Sequence, residues 1–192
     1  MTTAGAAEAA SKRESVPDEK RNADLTKFMR RAKRRGAASC KVISPSHVRT
    51  AEWVRLKCQY GCPGYESCLT CPPYSPDASQ TRKILDGYAR ALLIQFVIEP
   101  EQDQPDVRRI AAKLEREMFL DGYYKAFAMA CGPCEICEEC TLDFCVESYL
   151  ARPSMEACGI DVFATARGAG YPIEVVTSDD QVQNRYGLIL VD

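Results

Sequence analysis

Residues 91–99 read ALLIQFVIE, a short apolar run interrupted only by Gln95. That pattern is a buried β-strand, and the neighbouring segments organise around it. After it, Pro105 opens an amphipathic helix carrying Val107, Ile110, Ala111, Leu114 and Met118, and Gly122 stops it. YYKAFAMA (123–130) reads as a second strand. Before it, Asp77 or Ser79 caps a helix running to about Arg90, with Ile84, Leu85 and Tyr88 on its apolar face. Earlier still, Leu25, Phe28, Met29 and Ala32 recur at helical spacing up to Gly36, and 40–44 suggests a short strand. Towards the end, a helix beginning near Pro153–Ser154 is expected to carry Met155, Cys158, Val162, Phe163 and Ala166, with Gly168 and Gly170 closing it. PIEVV (172–176) and YGLILVD (186–192) read as two last strands. Strands alternating with helices predict an α/β or α+β sandwich, a mixed sheet covered by helices and interrupted by two cysteine-rich loops.

The chain has 192 residues with a formal charge of −2, so nothing global points to a nucleic-acid partner. Residues 1–22 are rich in Ala, Ser and charge and are expected to be a disordered tail. Residues 23–192 are expected to form one metal-binding domain. Residues 12–35 carry an excess of six positive charges, read as a solvated basic helix or as a docking face for an acidic partner. No stretch approaches the ~20 apolar residues of a membrane span, and the start lacks the apolar core of a signal peptide. A cytoplasmic location follows as an expectation, and with it reduced thiols.

Eleven cysteines are present, nine of them in two windows. The second window, CGPCEICEECTLDFC, contains Cys134-x2-Cys137-x2-Cys140-x4-Cys145. A cubane cluster needs one outer ligand at each of four irons. Thiols three apart on a short loop can wrap three corners, and a fourth thiol arrives from slightly further on. Zinc is the alternative, but it usually takes two ligand pairs separated by a longer loop, and His47 is the only histidine. Cys131 is read either as a substitute for Cys145 or as a spare thiol at a strand end. Glu135, Glu138, Glu139 and Asp143 add negative charge around this window.

The first window, KCQYGCPGYESCLTCPPYSP, is full of Gly, Pro and Tyr and is expected to be loop throughout. Cys58, Cys62, Cys68 and Cys71 match no common ferredoxin spacing. Three readings stand open: a second four-thiolate cluster, a zinc site, or a cluster held by three of the four thiols. In the last, an iron without a protein ligand would act as a Lewis acid towards a substrate. Arg55 and Lys57 are expected to favour thiolate here, and Tyr60, Tyr65 and Tyr74 to cover the loop.

The strings RLKCQYGCPGYESCLTCPPYSPD, ARALLIQF, GPCEICEEC, ARPSMEACGIDVFATARGAGYPIEV and YGLILVD together resemble a family of predicted metal-binding proteins, domain of unknown function 2284, from about Cys40 to Asp192. The resemblance implies a small cytoplasmic metal or iron–sulfur protein and no particular reaction. It implies that Cys58, Cys62 and Cys71 match the first motif and Cys134, Cys137, Cys140 and Cys145 the second. Cys68 and Cys131 stand outside both.

Among other polar residues, Arg152, Ser154, Glu156 and Asp161 are placed at the start of the last helix. There they could bind an anion, or serve as a cap and a salt bridge to Arg152 or Arg167. Cys40 and Cys158 read as buried core thiols, and His47 as a surface residue. The expected function is a protein binding one or two 4Fe-4S clusters, supplying electrons to a redox partner protein, with no nucleic acid and no membrane involved. The alternatives are an enzyme using an open iron and a zinc-stabilised interaction module using the basic helix.

Overall fold

The computed structural model describes residues 22–192. The expected tail, residues 1–22, lies outside the described residues apart from Asn22. Four strands, β1 (Ser39–Ile43), β2 (Ala91–Ile98), β3 (Phe127–Met129) and β4 (Gln183–Leu190), form one sheet in the order β1-β2-β4-β3. All three ladders are antiparallel, so the architecture is α+β and the sheet is not mixed. The expected sandwich of a sheet under helices is present. β2 pairs with β4 along its whole length, from Ala91 opposite Leu190 to Ile98 opposite Gln183.

Five helices accompany the sheet among the described residues: α1 (Thr26–Arg34), α2 (Trp53–Gly61), α3 (Ala78–Asp86), α4 (Val107–Leu120) and α5 (Val162–Gly168). The β2 run is almost continuously apolar because both sheet faces are covered. Leu92, Ile94, Phe96 and Ile98 pack on one side against Phe28 and Ala32 of α1 and Ile110, Leu114 and Met118 of α4. Ala91 and Leu93 pack on the other, against Leu85 of α3, Ala166 of α5 and the turn containing Met155, Cys158 and Ile160. Each fully buried Leu, Ile or Phe is worth about 1.5–3 kcal/mol of transfer free energy.

Helix ends follow their sequence signals. Asp77 caps α3 in a capping box with Gln80, Asp106 accepts from the Arg109 amide at the start of α4, and Gly36 takes φ +101° just after α1. Half of the basic residues on and just after α1 are paired with the C-terminal part of α4. Arg31 and Arg35 lie 3.2 and 2.5 Å from Glu117, and Lys27 meets Asp121, while Arg30, Lys33 and Arg34 remain exposed.

Several expected elements differ. α3 ends at Asp86 rather than near Arg90, and Ile84 is exposed. The second strand shrinks to Phe127–Met129, because Tyr123 and Ala126 are engaged in turns after α4. No helix begins at Pro153. Residues 153–161 form turns pinned on two sides, Ala130 bridging Ser154 and Thr50 bridging Ile160, and the helix starts only at Val162, capped by Asp161. PIEVV is not a strand; Ile173 is buried but Val175 and Val176 are exposed.

The pinned turn depends on Gly159. Its φ is +71°, and an added Cβ would stand 2.8 Å from the Ala78 Cα and 2.9 Å from its amide nitrogen, at the start of α3. Gly159→Ala is therefore expected to lower stability by about 2–4 kcal/mol, from left-handed strain plus a backbone clash. Urea denaturation of the two proteins checks this; equal midpoints would contradict it.

Candidate metal centres

The first cysteine window begins on a helix. Cys58 lies in the last turn of α2, and Cys62 caps it through its amide bond to the Cys58 carbonyl (3.3 Å). The expected all-loop window is thus corrected at its start: VRLKCQYG has enough helix-forming residues to extend α2 until Pro63. From Pro63 to Pro76 the chain folds into tight turns, with the Cys71 amide on the Cys68 carbonyl (2.9 Å) and the Ser75 amide on the Cys71 carbonyl (3.2 Å).

Arg55 is a structural clamp rather than a thiol activator. Its guanidinium donates to the Ala157 carbonyl (2.7 Å) and the Ser75 hydroxyl (3.0 Å), fastening α2 to the end of the window and to the pinned turn. Burial pushes the Cys58 thiol up, and the nearby Cys62 and Glu156 add to this; Arg55 only opposes it.

The second window leaves β3 at Ala130 and returns at Arg152. The Arg152 guanidinium is committed within the fold. It makes a two-armed pair with Glu115 of α4 (2.6 and 2.5 Å), and Glu115 also accepts the Ala128 amide (2.7 Å). Arg108 of α4 grips the same window through the Pro133 carbonyl and Glu135, the latter at 2.8 Å. Asp161 caps α5 and pairs with neither Arg152 nor Arg167; Arg167 faces Glu174. Ser154 accepts from the Ala157 amide (3.0 Å).

The two windows meet in space. Gly64 is packed so closely on the second window that an added Cβ would stand 2.6 Å from the Pro133 Cβ. The same Cβ would lie 3.3 Å from the Cys71 sulfur and 3.5 Å from the Cys62 sulfur. The Cys134 amide donates towards the sulfurs of both Cys68 and Cys71. The Cys71 thiol donates in turn to Cys68. With burial, this holds Cys71 protonated up to about 12; at Cys68, burial is outweighed and the pKa falls below the ordinary thiol value.

The thiols divide between two cavities, and the division crosses the windows. A cavity of about 520 Å³ is lined by Cys58, Cys62, Cys71 and, from the second window, Cys131. A second, of about 270 Å³, is lined by Cys134, Cys137, Cys140 and Cys145 and, from the first window, Cys68. Spacing along the chain assigned Cys68 to the first group and left Cys131 spare. Only the turn that buries Cys68 against the Cys134 amide sends it the other way.

All eleven cysteines are unpaired. Cys40 and Cys158 are buried in the core and line neither cavity, as expected, although Cys158 lies within electrostatic reach of Cys58; burial pushes each up to about 12. His47 is exposed. Two carboxylates missing from any spacing motif complete the picture. Glu156 Oε2 and Glu147 Oε2 are buried without a hydrogen-bond partner, the first lining the larger cavity and the second the smaller. Among the described residues no three Cys, His, Asp or Glu side chains converge tightly enough to hold a single ion. The thiols instead stand around the walls of two cavities, a donor set that fits a metal group with a body of its own.

A family described as predicted metal-binding protein (DUF2284) matches residues 41–191. No curated protein and no solved structure matches. Among the described residues, no helix is long and apolar enough to cross a membrane.

Two expectations follow. In metal-free protein at pH 8, Cys137, which is exposed although desolvation and the neighbouring thiols and Glu147 raise its pKa, should react with iodoacetamide before Cys40 and Cys158, which stay protonated and unreactive until unfolding. Peptide mapping of alkylation over time reads this out, and early labelling of Cys158 would contradict it. Gly64→Ala should separate the windows and lower bound metal per chain, with far-UV circular dichroism unchanged. Full metal content in that variant would show that the contact is dispensable.

Proposed function

This chain belongs to the DUF2284 family of predicted metal-binding proteins, and on that premise we propose that it is an iron–sulfur protein with two thiolate-held 4Fe-4S centres. The observation that carries this reading is the gathering of nine thiols around two cavities rather than around points. A polynuclear cluster is a body several ångströms across whose ligands must stand apart. A structural zinc ion draws four donors to one atom. Cys134, Cys137, Cys140 and Cys145 would hold the second centre, and Cys58, Cys62 and Cys71 the first. Bound there, such clusters supply one-electron chemistry.

The second centre is the one suited to exchange with a partner. Cys137, Glu138, Glu139 and Asp143 are exposed on its loop, so a redox partner presenting a basic surface would approach closely. We assign the protein to the cytoplasm, where these thiols stay reduced, and expect no nucleic-acid or membrane partner.

The cavity that the first centre would share favours a second reading. Trp53, Phe163, Ile173 and Tyr186 also wall it, so its volume of about 520 Å³ extends past the thiols to an apolar side that a small organic molecule could enter. An enzyme using that centre to bind and activate a substrate would need such a space; an electron carrier would not.

Protein purified without oxygen should be brown and contain about eight iron and eight acid-labile sulfide per chain. Cys140→Ser should roughly halve both. Colourless protein with tightly held zinc would overturn the proposal.

A further inference from the structure

Glu156 has no structural employment among its protein neighbours that accounts for its position. It sits in the pinned turn between the Ala130–Ser154 and Thr50–Ile160 bridges, with the Gly159 amide on its own carbonyl (2.8 Å). The adjacent Ala157 carbonyl is clamped by Arg55 and Ser75. The side chain is therefore presented by one of the best-fixed backbone segments near the first centre. Its carboxylate keeps contacts with its own amide and with Ser154, yet Oε2 is buried and has no partner.

The arginines nearby are engaged elsewhere, and Lys57, on the same cavity wall, is exposed to solvent. Arg55 is committed to carbonyls and Ser75, Arg108 to Pro133 and Glu135, and Arg185 bonds Gln183 (3.3 Å). A buried carboxylate oxygen left unpaired is costly, and its cost is removed by a cation or a metal. Glu156 shares its cavity with four thiols, Cys58, Cys62 and Cys71 of the first window and Cys131 of the second. Glu156 lies within electrostatic reach of both Cys58 and Cys131.

Resting on the iron–sulfur reading above, we propose that Glu156 is the oxygen donor of the first centre. It would complete a set of three thiolates, Cys58, Cys62 and Cys71, with one carboxylate. Glu147 is the natural comparison, since its Oε2 is also unpartnered. It differs in two ways: its cavity is lined by five thiols, and its carboxylate accepts a hydrogen bond from the Tyr149 hydroxyl. The first cavity has four thiols against five, but the charged groups acting on Cys131 are Glu156, Arg185, Arg108 and Asp106 and no first-window thiol, whereas Glu156 acts on Cys58, so Glu156 is the better placed fourth donor.

The assignment has a chemical consequence. A carboxylate is a harder and more readily displaced ligand for iron than a thiolate. Displacing that carboxylate would open a coordination position, so Glu156 would mark where a small molecule with an oxygen, nitrogen or sulfur donor could bind. Cys131 would then stand beside the centre without being bound to it.

The test uses full-length protein grown with glutamate isotopically labelled at the side-chain carboxyl, purified anaerobically and reduced with dithionite. Electron–nuclear double resonance should show a carboxyl-carbon coupling to the cluster spin. The coupling should disappear in Glu156→Gln and persist in Glu147→Gln. No coupling in the wild-type protein overturns the proposal, as does its survival in Glu156→Gln or its loss in Glu147→Gln. Each of these failures leaves the clusters in place. Wild-type protein without iron and sulfide would instead remove the iron–sulfur reading itself. Glu147→Gln and the wild-type measurement keep the proposal exposed to refutation should Glu156→Gln fail to fold.

Discussion

The contact of Gly64 with Pro133 governs the arrangement of the thiols. It brings two segments separated by about a third of the chain so close that no side chain fits between them. Beside it, the Cys134 amide reaches the sulfurs of Cys68 and Cys71. This seam is the common wall of the two cavities. Without it the first window would be a set of turns after a helix and the second a loop hanging from a strand. Crowded thiols are costly unless something binds them, and here the fold enforces the crowding from both sides.

The rest of the molecule can be understood as the frame that holds the seam. The sheet fixes where β3 ends and therefore where the second window starts. α4 supplies two side chains to that window: Glu115 to Arg152 at its close, and Arg108 to Pro133 and Glu135 near its start. On the other side Arg55 joins α2, the end of the first window and the pinned turn carrying Glu156. The charges expected to tune thiols or bind anions are mostly spent in this scaffolding. Pairing a buried guanidinium with a carboxylate in two-armed geometry fixes orientation more than it adds net stability.

What could be read from the sequence follows from how local each signal is. β2 was legible because an apolar run broken only by Gln95 needs burial on both faces. α4 was legible because its period, its cap and its stop all lie within its own sixteen or so residues. The Cys134-Cys137-Cys140-Cys145 group was legible because one short loop carries it. Three things were not. Pro153–Ser154 looked like a helix start, but two isolated bridges to distant segments hold those residues in turns. Cys58 looked like loop because the glycines and prolines after it dominate the window, although α2 runs through it. The crossing of Cys68 and Cys131 between cavities depends on the Gly64 contact, which no spacing along the chain records. Glu156 carried no motif; its only signal is a buried oxygen without a partner, visible once the turn is folded.

The central claim is that these thiols surround polynuclear iron–sulfur centres. Iron-edge X-ray absorption on protein prepared without oxygen tests it most directly. The account predicts a sulfur shell together with a distinct iron–iron scattering shell. A spectrum found only at the zinc edge, with sulfur neighbours and no metal–metal shell, would contradict it.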